Sequence, residues 1–347
     1  MFSPACVARS AELDWASARV ALTGGAGFLG SAVARVLAAR GVPPGDLRVV
    51  RSREFDLRDP AAAARMFEAT RPEVVIHCAG FVGGIQLNRD QPGRMFRDNL
   101  LMAMSLIEGW REWCGRSKSA MERGVFVQVG SMTSYPAGAP APFREESLWS
   151  GYPEAASAPY GVAKLAAWSM LDAYHRQYGT PGACVIPVNL YGPGDNIDDV
   201  ARAHVAGSLV KRFVDAARTG APGVVCWGTG RPTREFLYVD DAAEGVVRAA
   251  ERVREPTPIN LGSGLGVPAA AGGKGQELSI RELAELIARL AGYRGRIVWD
   301  PSRPDGVARR CLDSSRAFER LGWCARVGLE EGLRRTVEWY GQHAARP

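Results

Sequence analysis

The chain has 347 residues, enough for two lobes, with 46% hydrophobic and 23% charged residues, the balance of an ordinary globular protein. No apolar run approaches the ~20 residues that cross a bilayer, and the basic residues behind a net charge of +6 are scattered, without a basic run or aromatic-interleaved patch. These features argue against a membrane protein and against nucleic-acid binding, and point to a small polyanionic ligand.

Residues 1–17 lack the apolar core of a signal peptide and read as a loose leader, so a cytoplasmic protein is expected. An apolar run at 19–23 ends in GGAGFLG and a helical stretch, SAVARVLAAR. Strands at 47–51 and 73–80 and helices over 60–70 and about 94–114 follow, then a strand over 124–131 that stops at Gly130-Ser131. A Pro- and Ala-rich loop, 134–159, leads to a helix over 160–178 and a strand over 183–190. This alternation predicts an α/β fold: a Rossmann-type, doubly wound parallel sheet buried on both faces.

Beyond 190 come the turn YGPGDN, a helix near 203–217, the strand VVCWG, and helices around 240–253 and 278–292, the latter capped by Ser279. A strand GRIVWD and a basic loop SRPDGVARR follow. The expected division is a dinucleotide-binding domain over 18–187 with a returning segment at about 235–262. A smaller mixed α/β lobe takes 188–234 and 263–345. Residues 262–276, rich in Gly and Ala, read as a mobile surface loop. The seven cysteines (Cys6, Cys78, Cys114, Cys184, Cys226, Cys311, Cys324) form no CxxC pair and read as buried thiols; with four histidines and no ligand spacing, no metal site is expected.

Gly24, Gly27 and Gly30 lie between a strand and a helix, where a pyrophosphate must approach the backbone closely and meet free N–H groups at the helix start. Phe28, Leu29 and Ala79 complete the candidate cofactor contacts there. Where a carboxylate would read a free ribose 2′-hydroxyl, the second strand ends in Arg51-Ser52-Arg53. Two guanidiniums suit a 2′-phosphate, so NADP(H) is expected, with Asp56 and Leu57 beside the adenine. Tyr160 and Lys164 stand one helical turn apart, and an ammonium beside a phenol of pKa ~10 is expected to bring it toward the working range. Ser131, at the carboxyl end of a strand, is the third catalytic candidate, at the mouth of a parallel sheet where ligands bind.

Together with FVGGI (81–85), DNL (98–100), YGVAK (160–164), RQYG (176–179), NLYGPGDN (189–196), WGTG-x-P-x-REFLYVDD (227–241), INLGSG (259–264) and RPDG-x-x-RR (303–310), these residues resemble the extended short-chain dehydrogenase/reductase family. Within it the likeness is closest to the GDP-L-fucose synthases and covers about 19–340. The resemblance implies that Ser131, Tyr160 and Lys164 are catalytic and that Asn189, Trp227, Arg234 and Arg310 line a nucleotide-sugar pocket, with Lys211 a further candidate. It also implies a GDP- or dTDP-linked sugar substrate and a homodimer packed through the helices near 94–114 and 160–178.

Two positions depart from that pattern. Fucose synthase-like enzymes carry a Cys two residues after the catalytic Ser and a His after the YGP turn, the acid-base pair that epimerises C3 and C5; here those positions are Thr133 and Gly194. Neither titrates near neutrality, as proton abstraction beside a ketone requires. His204, in the next predicted helix, reads as structural or ligand-lining. The expected activity is an NADPH-dependent 4-ketoreductase of a nucleotide-activated 4-keto-6-deoxyhexose without 3,5-epimerase activity. The alternative is a nucleotide-sugar epimerase using tightly bound NAD(P). A non-catalytic dinucleotide sensor is disfavoured by the intact Ser131/Tyr160/Lys164 set.

Overall fold

The alternating apolar runs pair as parallel strands in a computed structural model of the chain, which describes residues 13–195, 204–303 and 305–343. The first part of the chain forms β1 (Val20–Thr23), α1 (Phe28–Ala39), β2 (Leu47–Val50), α2 (Pro60–Thr70), β3 (Val74–His77), α3 (Ile85–Asp90), α4 (Pro92–Arg116), α5 (Lys118–Arg123), β4 (Val125–Val129), α6 (Ala158–Tyr178) and β5 (Gly182–Pro187). Then come β6 (Asn189–Tyr191), α7 (Val205–Thr219), β7 (Gly223–Trp227), β8 (Thr233–Tyr238), α8 (Val239–Arg252) and β9 (Pro258–Leu261). The chain ends with β10 (Glu277–Ser279), α9 (Ile280–Leu290), β11 (Arg296–Asp300), β12 (Arg309–Arg310), α10 (Ser315–Leu321) and α11 (Leu329–His343).

Six parallel strands in the order β2-β1-β3-β4-β5-β9 make the main sheet. Strand side chains alternate between two cores: Val20, Leu22, Val74, Ile76, Val125 and Val127 face α1 and α8, while Ala21, Val75 and Phe126 face α2, α4 and α6. Leu312, Ala317, Leu321 and Trp323 join the first of these cores. A third core, built on Phe213, Phe236, Leu283, Ile287 and Leu333, gathers α7, α9 and α11 against a second sheet, in which β8 pairs with β6, β10 and β12. A two-stranded β7–β11 ribbon completes that lobe.

Several expectations change in detail. The strand over 183–190 is two strands: β5 ends at Pro187, Val188 donates to the Leu261 carbonyl, and β6 then pairs with β8. The chain passes there from the six-stranded sheet to the second sheet. Residues 13–17 are held, because Trp15 is buried and its indole N–H donates to Glu251 of α8; residues 1–12, Cys6 included, lie outside the described part. The Gly/Ala-rich 262–276 segment is anchored by fully buried Ser263, whose N–H and hydroxyl both donate to Glu235. The helix expected from 278 starts at Ile280, with Ser279 and Glu282 closing a capping box. Among the described residues, no helix is long and apolar enough to cross a membrane, and no group of three or more His, Cys, Asp or Glu could hold a metal ion.

Candidate active site

The glycine turn after β1 is packed too tightly for side chains. Gly24 adopts φ +69°, and a Cβ there would stand 2.6 Å from the Ala79 backbone nitrogen; one on Gly30 would stand 2.1 Å from the Gly24 carbonyl oxygen. Gly27 caps α1 without a side-chain hydrogen bond, and the first turn, opened by Phe28 and Leu29, carries no acid. Its N–H groups are therefore open to an anion.

At the end of β2, Arg51 and Arg53 are exposed and make no ion pair among the described residues. The nearby Glu54 carboxylate is taken by Arg48. Asp56 is held below the usual carboxylate range by hydrogen bonds from Arg58, and Leu57 is buried in the core. This arrangement fits a dinucleotide whose ribose carries a phosphate.

The catalytic candidates converge at the carboxyl end of the sheet. After β4, Ser131 caps a short 3-10 turn, Met132–Ser134. Its Oγ accepts the Thr133 N–H at 3.2 Å and lies 2.9 Å from the Thr133 hydroxyl oxygen. Helix α6 is pressed against this turn, since a Cβ on Gly161 would stand 2.3 Å from the Thr133 carbonyl oxygen. The Ser134 hydroxyl donates to the Gly161 carbonyl across the same contact. A glycine directly after Tyr160 is thus what lets the Tyr160–Lys164 helix reach Ser131.

Tyr160 and Lys164 face a second glycine: a Cβ on Gly80 would stand 4.0 Å from the Tyr160 hydroxyl, 3.8 Å from Lys164 Nζ and 3.1 Å from Asn99 Oδ1. Asn99, carried by the DNL triplet, is a further residue of this group that spacing does not point to. It is buried, accepts the Phe81 N–H, and donates to the Phe81 and Met95 carbonyls, fixing the backbone beside this point.

The charge states differ from the sequence expectation. Lys164 Nζ lies 5.7 Å from the Tyr160 ring centroid, and burial, not the ammonium, governs the phenol, pushing its pKa above the ordinary value. The same burial draws Lys164 down to about 8. Tyr160 is therefore a protonated phenol at neutral pH, the form that can give a proton to a ketone oxygen.

In the second lobe, Arg234 on β8 and Arg310 on β12 are register partners. Burial and the Arg310 charge lower Arg234 to about 10, and burial lowers Arg310 as well. Arg234 donates only to the Thr233 carbonyl among the described residues, and Arg310 has Glu154 at 3.8 Å. Two crowded cations with at most one carboxylate beside them suit a polyanion. Glu235, buried and pushed up to about 7, accepts from Ser263 and from the Leu312 N–H, tying β8 to the chain just past β12.

Trp227 is 59% exposed, with the Arg303 guanidinium 5.0 Å from its ring centroid. Asp305 accepts the Thr229 N–H at 2.6 Å and its hydroxyl at 2.7 Å, fastening the chain at Asp305 beside that ring. The Asn189 amide donates to the Glu235 carbonyl.

Lys211 is not brought to this group. It is turned toward Asp215 at 3.1 Å and the Tyr340 hydroxyl at 2.9 Å, while the next residue, Arg212, reaches the Val225 carbonyl on the strand of Trp227. Gly194 adopts φ +89°, and among the described residues nothing lies within 4 Å of where a Cβ would stand. His204 Nδ1 lies 4.0 Å from Asp195 Oδ1, next to that turn, and Asn196 lies outside the described residues.

The model of the NAD dependent epimerase/dehydratase family matches residues 20–262. GDP-L-fucose synthase 1 of Arabidopsis thaliana is 36% identical over 326 residues, 93% of this chain and 93% of that protein. The structure titled GDP-6-OMe-4-keto-L-xylo-heptose reductase from C. jejuni is 25% identical with a TM-score of 0.82, covering 96% of this chain and 100% of the other. The GDP-mannoheptose C4 reductase from Campylobacter jejuni, with NADP bound, is 26% identical with a TM-score of 0.79, over 94% and 98% of the two chains. With this fold and this site, the chain is an enzyme of the NAD dependent epimerase/dehydratase family, the extended short-chain dehydrogenases/reductases.

Proposed function

We propose that the protein is an NADPH-dependent 4-ketoreductase of a GDP-linked 4-keto-6-deoxyhexose, and that it leaves the carbons flanking the ketone untouched. One observation carries this reading: where fucose synthase-like enzymes hold a titratable acid-base pair, this chain has the Thr133 hydroxyl, bonded to Ser131, and Gly194, which has no side chain. The names of its relatives support GDP as the nucleotide, and two structural neighbours named as heptose reductases support reduction at C4.

In this reading the nicotinamide supplies hydride to C4 when bound. Tyr160, kept protonated by burial, gives its proton to the carbonyl oxygen, and Ser131 hydrogen-bonds the same atom. Lys164 holds the cofactor ribose, while Gly24, Gly27 and Gly30 receive the pyrophosphate and Arg51 and Arg53 the 2′-phosphate. Arg234 and Arg310 grip the diphosphate of the sugar nucleotide beside Trp227, which orients the sugar from a distance. Leu101 and Met104 on α4 and Tyr178 on α6 are exposed, which supports a homodimer through these helices.

The reading is tested by supplying GDP-4-keto-6-deoxymannose and following NADPH absorbance against product. One NADPH oxidised per product is expected. Product formed without net NADPH consumption would instead support an epimerase with tightly bound NAD(P), a reading favoured by the imidazole of His204 beside Asp195.

A further inference from the structure

We propose that Thr133 is a positioning residue whose hydroxyl makes Ser131 an obligatory hydrogen-bond donor to the substrate ketone. The assignment rests on the reductase reading above. A serine hydroxyl has one proton and two lone pairs. One lone pair of Ser131 Oγ accepts the Thr133 backbone N–H at 3.2 Å, an interaction fixed by the 3-10 turn that Ser131 caps. The Thr133 hydroxyl stands 2.9 Å away and makes no other hydrogen bond among the described residues. When it donates to Ser131, both lone pairs are filled, and the Ser131 proton can only point away from the turn. Ser131 and Thr133 are half-buried, whereas Met132 and Ser134 between and after them are buried, so the two hydroxyls share the open side of the turn.

Helix α6 keeps this geometry in place. Gly161 lies against the Thr133 carbonyl, and the Ser134 hydroxyl bonds the Gly161 carbonyl, so the turn cannot rotate without displacing the helix that carries Tyr160. Ser131 and Tyr160 would then both direct protons at one oxygen, stabilising the charge that develops there during reduction. A thiol at position 133 is a weak donor and would not saturate Ser131 in this way.

The test measures kcat, KM and NADPH affinity for Thr133→Val and Thr133→Ser, each alone and combined with Ser131→Ala. Thr133→Val should lower kcat roughly tenfold, the scale of one hydrogen bond to developing charge, with KM for the sugar nucleotide and NADPH affinity unchanged. Thr133→Ser should restore kcat, and in the Ser131→Ala background Thr133→Val should cause no additional loss. If Ser131 instead donates to Thr133, removing that acceptor frees its proton, and Thr133→Val would match or exceed the parent; that result overturns the assignment. Additive losses in the double variant would overturn it too. Should Thr133→Val not fold, Thr133→Cys takes its place, with kcat expected below that of Thr133→Ser. Equal kcat for the Cys and Ser variants would also overturn the assignment. An unmodified protein that consumes no NADPH with this ketone overturns the reductase reading itself, whereas a working reductase indifferent to the Thr133 hydroxyl overturns this assignment alone.

Discussion

At the mouth of the six-stranded sheet, Tyr160, Lys164 and Asn99 reach one glycine from helices packed against it, whereas in the second lobe Arg234 and Arg310 meet only because β12 lies in register beside β8. The first group solves burial by favouring neutral forms: the phenol stays protonated and the ammonium is drawn down to about 8. The second group keeps two cations in a crowded, partly buried place, with Glu154 at 3.8 Å from one of them. Proton transfer needs groups that can change charge; holding a diphosphate needs groups that cannot. Charge that is only partly compensated destabilises a protein, and a bound anion would offset that cost. The two halves should therefore be separable by mutation.

The largest expected effect lies in the first half. Tyr160→Phe should lose on the order of 10²–10⁴ in kcat while NADPH and sugar-nucleotide binding, followed by fluorescence titration, stay near normal. Turnover close to that of the parent would remove Tyr160 from the role of proton donor. In the second half, Arg234→Gln should raise KM for the sugar nucleotide roughly 10- to 100-fold, about 1.4–2.8 kcal/mol, with NADPH affinity unchanged. Because the substitution removes one of two neighbouring like charges, Tm of the ligand-free protein should rise. A fall in Tm would mean that the guanidinium holds the fold rather than the ligand.

The smallest effect concerns the rim of the cofactor turn. NADPH should bind about tenfold more tightly than NADH, close to 1.4 kcal/mol, and converting Arg51 and Arg53 to Ala should abolish most of that preference. Equal affinities in the unmodified protein would show that these arginines do not read the phosphate.

What could be read from the sequence follows the same division. The glycine turn and the Tyr160–Lys164 pair depend on short spacings, so strand, turn and helix were visible before any tertiary contact was known. The cap at Ser279 was legible for the same reason. Asn99 was hidden because its task is to hold the backbone of Phe81, 18 residues away. Lys211 and Arg212 differ by about 100° around a helix, and only the packing of α7 shows which of the two reaches the strand of Trp227. The break at Val188 is not legible because the apolar run 183–188 leads directly into β6, and only pairing with two different sheets divides the strands. The burial that governs Tyr160 is not legible, because spacing reports the neighbour and not the surroundings.

The claim that reduction proceeds here without epimerisation is tested most directly by running the reaction with NADPH in D₂O and locating deuterium in the product. With Thr133 and Gly194 in place of an acid-base pair, C3 and C5 should carry no deuterium beyond that of an enzyme-free control. Enzyme-dependent deuterium at either carbon would contradict the account and direct attention to His204, whose replacement by Asn should then abolish it.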